Sequence, residues 1–151
     1  MKIELKFIIL LVVLILTASI AGIVIGSYYY LEEKILPGHY IGKINVGGMT
    51  RAKAISVLES FDADEIVPGP LSFIFDDGEK IIKYDFMPSQ AGAVVLTSES
   101  VEDAFYMAKR ENYFQKIYYQ FSSKKKVIYP RLVVKNKKQL EKLIDQVANY
   151  I

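Results

Sequence analysis

The sequence predicts a small α+β domain carried behind one long apolar helix. Three observations lead there. Residues 7–26, FIILLVVLILTASIAGIVIG, hold no charge. Residues 39–46, and the pair 71–75 and 80–86, read as strands bounded by Gly, Pro and Asp-Gly turn signals. Helical stripes in 50–61, 100–108 and 136–151 mix with these strands without the alternating rhythm of a parallel sheet.

The apolar run comes first. At 1.5 Å of rise per residue it covers roughly 30 Å, the hydrocarbon thickness of a bilayer. Lys2, Lys6 and the terminal amine precede it, while Glu32, Glu33 and Lys34 follow. Counting Lys and Arg alone, this places residues 1–6 in the cytoplasm and the remainder of the chain outside. Tyr28, Tyr29 and Tyr30 stand where an aromatic belt meets the outer headgroups. A second reading is a cleaved signal peptide with its core at 7–16 and a small-x-small site at Ser19-Ile20-Ala21. The run resumes at Ile23-Val24-Ile25, longer than a usual signal core, and this favours an uncleaved anchor. The expected organisation is a cytoplasmic stub 1–6, an anchor 7–26, a stalk 27–36 and a domain 37–151. Its expected location is the cell membrane, single-pass, with the domain extracytoplasmic and the lipid bilayer as partner of 7–26.

Composition then narrows the classes. The 52% hydrophobic fraction is inflated by the anchor. Setting aside Lys2, Lys6 and Glu4 from the 19 basic and 17 acidic residues leaves seventeen and sixteen. Such a balance gives no electrostatic case for nucleic acid. The densest basic run, Lys124-Lys125-Lys126, reads as a solvated loop or strand end. There is no cysteine and one histidine, His39, so thiol catalysis and Cys metal sites are excluded. No metal, no cofactor and no enzymatic activity is expected.

Within the domain, Pro37-Gly38 ends the stalk and 39–46 forms a strand closed by Gly47-Gly48. Thr50 caps a helix with Ala54, Val57, Leu58 and Phe61 on one face. Asp76-Asp77-Gly78-Glu79 turns a hairpin, because Asp-Gly tolerates the positive φ such turns need. Residues 87–97 read as irregular. Ser100 is placed as the cap of a helix burying Val101, Ala104, Phe105 and Ala108. The aromatic stretch 112–121 reads as helix running into loop. Residues 127–135 are β-rich, interrupted at Pro130. Asn136 with Gln139 opens the final helix, whose stripe is Leu140, Leu143, Ile144, Val147, Ala148 and Ile151.

Two segments carry a family resemblance. The first is Ile35-Leu36-Pro37-Gly38-His39-Tyr40-Ile41-Gly42-Lys43-Ile44-Asn45-Val46-Gly47-Gly48-Met49-Thr50, followed by Ala54 and Leu58. It resembles the start of the domain assigned to peptidoglycan binding in VanW-like vancomycin-resistance proteins and in front of some L,D-transpeptidases. The second, Ala104-Phe105-Tyr106-Met107-Ala108-Lys109-Arg110-Glu111-Asn112-Tyr113-Phe114, resembles that family's Ala-aromatic helix ending in Arg-x-Asn. The resemblance covers roughly 35–151. It implies non-catalytic binding of peptidoglycan, with other cell-wall proteins as further partners. The chain departs from the family in having no VanW-type downstream domain and no transpeptidase His and Ser-x-Gly-Cys signature. The family domain continues past its last helix into a strand, so truncation at Ile151 is expected.

The candidate binding residues are Arg110, Asn112, Tyr113 and Tyr118. Arginine matches a wall-peptide carboxylate bidentately, and tyrosine rings stack on sugar faces. The same residues admit a purely structural account, Arg110 and Asn112 as helix-end caps and the aromatics as packing. Gly38, Gly42, Gly47 and Gly48 fit turns and close backbone approach, and His39 reads as a surface strand residue. Two other roles stay open: an envelope interaction or spacer module, and the non-catalytic front of an L,D-transpeptidase.

Overall fold

The computed structural model describes the chain apart from Met1, Asp77, Glu79, Ser123 and Ile151, and apart from the side chains of 2–5, 27–31, Tyr113, Gln120 and Tyr150. The tyrosine belt at 28–30 and the last residue of the final stripe therefore lie outside the described residues. The chain divides into two compact units, Met1–Lys34 and Ile35–Ile151.

The first unit is helix α1, Lys2–Glu32. Residues Lys6–Gly26 have a mean hydropathy of 3.1 and are long and apolar enough to cross a membrane. A helix that is apolar all round, with none of this stretch buried, suits lipid rather than a protein core. Its hydroxyls are satisfied internally. Thr17 Oγ1 donates to the Leu14 carbonyl at 2.9 Å and Ser19 Oγ to the Ile15 carbonyl at 2.8 Å. Neither would carry an unmet hydrogen bond into hydrocarbon.

The second unit is mixed α+β, as expected, and opens two residues before the anticipated boundary. Ile35 and Leu36, assigned to a stalk by sequence, are fully buried core residues. Strand β1, His39–Ile41, pairs antiparallel with β2, Ile44–Asn45, and parallel with β6, Lys126–Ile128. The turn between β1 and β2 needs Gly42. Its φ is +55°, and a Cβ there would fall on the Ile66 carbonyl oxygen. Helices α2, Arg51–Leu58, and α4, Thr97–Arg110, cover this sheet. Together they enclose Ile35, Ile41, Val46, Ala54, Leu58, Ile66, Val101, Ala104, Phe105 and Ile128. Thr50 caps α2 as expected, its side chain accepting from the Lys53 amide. The α2 stripe stops at Leu58, so Phe61 falls beyond the helix and is exposed.

Helix α3, Ala63–Ile66, follows α2. A hairpin then forms from β3, Leu71–Asp76, and β4, Ile81–Phe86, with Gly78 at φ +85° in its turn. The stretch read as irregular contains a 3-10 turn, Pro88–Ala91, and strand β5, Ala93–Val95. β5 pairs antiparallel with β7, Leu132–Val134. A three-residue strand is too short to show alternation, which is why its sequence carries no signal. Helix α5 spans Tyr113–Phe121 and α6 spans Lys137–Tyr150. Asn136 Oδ1 accepts the Gln139 amide at 3.3 Å at the start of α6. Against the hairpin α6 builds a smaller core of Phe86, Ala91 and Leu143, flanked by Leu71, Phe73, Tyr84 and Leu140.

Two side chains sit differently from expectation. Ser100 is not a cap, because α4 begins at Thr97. Its buried hydroxyl instead accepts the Arg131 amide at 2.9 Å, joining α4 to the chain entering β7. His39 is not a surface residue. Its exposure is 0%, because β1 is the central strand, paired on both sides.

Candidate functional site

Helix α4 divides cleanly into two faces. Val101, Ala104, Phe105 and Ala108 are buried. Asp103, Tyr106, Met107 and Arg110, at i, i+3, i+4 and i+7, share the opposite face. On β6, strand alternation turns Ile128 inward and Val127 outward, and Tyr129, just past the strand, is exposed as well. These two faces border an open groove of about 530 Å³ lined by Asp103, Tyr106, Met107, Arg110, Val127, Ile128 and Tyr129. Tyr129 is 77% exposed and Tyr106 60%.

The charges in the groove are unequal in their commitments. Asp103 is held by Arg131, whose Nε and Nη2 donate to its two oxygens at 2.5 and 2.7 Å. This fork raises the Arg131 pKa further above its already high value, Asp103 being the main cause. Arg110 has no carboxylate within ion-pair distance among the described residues. Its neighbour Glu111 pairs with Lys126 Nζ at 2.6 Å, so the basic run at 124–126 is only partly a solvated one. The groove therefore presents one available guanidinium, two tyrosines and an apolar floor.

The other sequence candidates fall elsewhere. Asn112 is a capping residue. Its Oδ1 accepts the Gln115 amide at 2.9 Å, and Gln115 Oε1 accepts the Asn112 amide at 3.0 Å. The reciprocal bonds satisfy two amides at the start of α5 and occupy the side chain. The side chain of Tyr113 lies outside the described residues. Tyr118 is exposed on α5 and does not line the groove. A hydrogen bond with Ser122, and then one with Lys124, lowers its pKa. Sequence reasoning missed Tyr106 and Tyr129. Tyr106 was detectable, one helical turn before Arg110. Tyr129 was not, since its position depends on β6 lying beside β1.

His39 cannot serve as an accessible base. Its Nδ1 lies 3.4 Å from the Pro37 carbonyl, and Nε2 has no hydrogen-bond partner among the described residues. The Tyr119 ring meets it edge-on at 5.7 Å. Burial lowers its pKa most, the Pro37 carbonyl works the other way, and the Lys126 cation lowers it further. Burial therefore favours the neutral imidazole. Among the described residues no cluster of three or more His, Cys, Asp or Glu could hold a metal ion.

Fold and surface together describe a chain with one helix suited to crossing a membrane and a mixed α+β unit bearing an open aromatic groove. Compared with protein-family models, with curated proteins and with solved structures, the chain matches none.

Proposed function

We propose that this chain is a single-pass envelope protein whose extracytoplasmic α+β unit binds peptidoglycan without catalysis, as its VanW-like segments imply. The observation that carries the reading is Arg110, which has no ion pair among the described residues and lines a groove with Tyr106 and Tyr129. A guanidinium fork pairs with a stem-peptide carboxylate through two parallel hydrogen bonds. Tyrosine rings offer apolar faces to sugar C–H groups while keeping their hydroxyls wet. The groove is open to solvent, so the affinity of one site is modest. The anchor compensates by raising the local concentration of the site at the wall. Lys2 and Lys6, ahead of the apolar stretch 7–26, support a cytoplasmic N-terminus.

The test is retention of the detergent-solubilised full chain on purified sacculi. Wild-type protein is expected to co-sediment and to be released by soluble wall fragments. Arg110→Ala is expected to weaken retention about tenfold, the loss of one charge-assisted contact. Wild-type protein left in the supernatant, or an Arg110→Ala variant that binds equally, overturns the reading.

A second reading, an envelope interaction module, is favoured by a different feature. Phe73, Ile74, Phe75, Ile144, Val147 and Ala148 line an apolar groove of about 290 Å³ between the hairpin and α6. Crosslinking that captures a protein through this groove, with no wall retention, would establish it.

A further inference from the structure

Helix α5 turns an aromatic stripe outward. Phe114, Tyr118 and Phe121 recur at i, i+4 and i+7, and are 80%, 52% and 85% exposed. The opposite side of the helix is engaged, since Tyr119 packs edge-on against buried His39. Exposure of rings this large on one face of a short helix is unusual for a surface in water. Basic side chains follow after two serines. Lys124 and Lys125 are exposed, and Lys124 Nζ lies 5.7 Å from the centre of the Tyr118 ring.

We propose that the α5 stripe is a second membrane contact, lying in the headgroup interface of the bilayer that α1 crosses. Three arguments select lipid over other occupants. The first is composition. Phenylalanine and tyrosine with flanking lysine is the pattern of interfacial helices, where rings enter the headgroup–acyl boundary and amines remain with phosphates. The second is charge, because Lys124 and Lys125 can remain with the headgroup phosphates while the rings enter the boundary. The third is reach. Only residues 27–34 separate the end of the apolar span from the compact unit. Even fully extended, that connection covers at most roughly 28 Å, so a bilayer is always within range of the unit. A weak interfacial helix tethered so closely binds as an intramolecular event, without needing the affinity of a free peptide. Contact through α5 would restrict the tumbling of the unit on its tether. This goes beyond wall binding, and it rests on α1 lying in the bilayer rather than on what the groove holds.

The chain has no tryptophan, so a single introduced indole reports without background. Full-length Phe121→Trp protein is reconstituted into vesicles of phosphatidylethanolamine and phosphatidylglycerol, with and without phospholipids brominated near the headgroups. Phe114→Trp serves as the second reporter and Phe61→Trp, exposed just beyond α2, as the control. Interfacial helices lie roughly 5–10 Å into the boundary, so both α5 indoles are expected to shift to the blue and lose about half their emission to bromine. The Phe61→Trp signal is expected to change little. Emission at the water-exposed wavelength overturns the proposal. A blue shift without bromine quenching also overturns it, since that is the signature of a protein covering the stripe. Flotation of the same vesicles reports α1 insertion separately. Protein that floats but shows no quenching at 114 or 121 refutes the stripe and not the anchor. Protein that does not float refutes both.

Discussion

The main core and the hairpin layer bury their apolar residues to different depths. In the main core, β1 is paired on both edges and roofed by α2 and α4, and Ile41, Leu58, Val101 and Ala104 are wholly excluded from water. In the hairpin layer, among the described residues β3 pairs only with β4, and α6 covers one face. Leu71, Phe73, Tyr84 and Phe86 pack on that face, and Phe73 stacks on Phe86 at 4.6 Å between ring centres. The other face carries Ser72, Ile74, Lys83 and Asp85, with Ile74 70% exposed. Ser72 donates to Asp85 at 2.5 Å and Lys83 pairs with it at 3.0 Å, a polar network that water screens. A strand gains its full burial only when both faces and both edges are covered. The number of layers above a strand, more than its own sequence, sets its share of the stability.

The largest expected effect breaks the main core at its turn. Gly42→Ala places a Cβ on the Ile66 carbonyl and forces a positive φ on alanine. We expect a loss of about 3 kcal/mol or more in urea denaturation. A loss below about 1 kcal/mol would show that this turn can relax.

A matched pair of truncations comes next. Leu58→Ala empties a site closed on all sides and should cost about 3 kcal/mol or more. Leu143→Ala, in the layer with one open face, should cost about 2 kcal/mol. Equal costs, measured by denaturant midpoints at unchanged slope, would mean that the hairpin layer is as rigidly packed as the core.

A smaller effect is read from pH. In the unfolded chain the His39 imidazole takes its proton near the usual value, about 6.5. In the fold, burial holds it below that value. The native state then binds fewer protons, so stability is greatest above this value. It falls as pH drops beneath it, until the folded imidazole protonates too. His39→Phe should flatten this part of the profile. Asp85 acts at more acidic pH, because its bond from Ser72 keeps it charged below the ordinary carboxylate range. An unchanged profile in His39→Phe would mean that another group titrates there.

The smallest effect should come from the open face of the hairpin. Ile74→Ser removes an exposed side chain and should change stability by no more than about 0.5 kcal/mol. A cost above about 1 kcal/mol, measured the same way, would mean that something covers this face.

Local chemistry made much of the fold legible. Asp76 and Gly78 at the hairpin, Thr50 ahead of α2 and Asn136 with Gln139 ahead of α6 act within a few residues of themselves, and each sits where its sequence implies. The apolar run of α1 is legible for the same reason, since suitability for a membrane depends on length and hydropathy alone. Ser100 misled because a serine before an apolar stripe looks the same whether it caps the helix or reaches across to Arg131. Of the binding candidates, Arg110 lines a groove, Asn112 is consumed by its own helix and Tyr118 belongs to a different surface.

The sequence by itself determined the elements that nearest neighbours specify: the apolar helix, the capped helices, the hairpin and the α+β class. Tertiary structure alone decided the parallel pairing of His39–Ile41 with Lys126–Ile128. From that pairing follow the burial of His39, the outward turn of Tyr129 and the groove it shares with Tyr106 and Arg110. The reason is separation along the chain. Caps and turns satisfy hydrogen bonds locally, whereas a parallel pair joins strands more than eighty residues apart, whose three-residue sequences do not encode the partner.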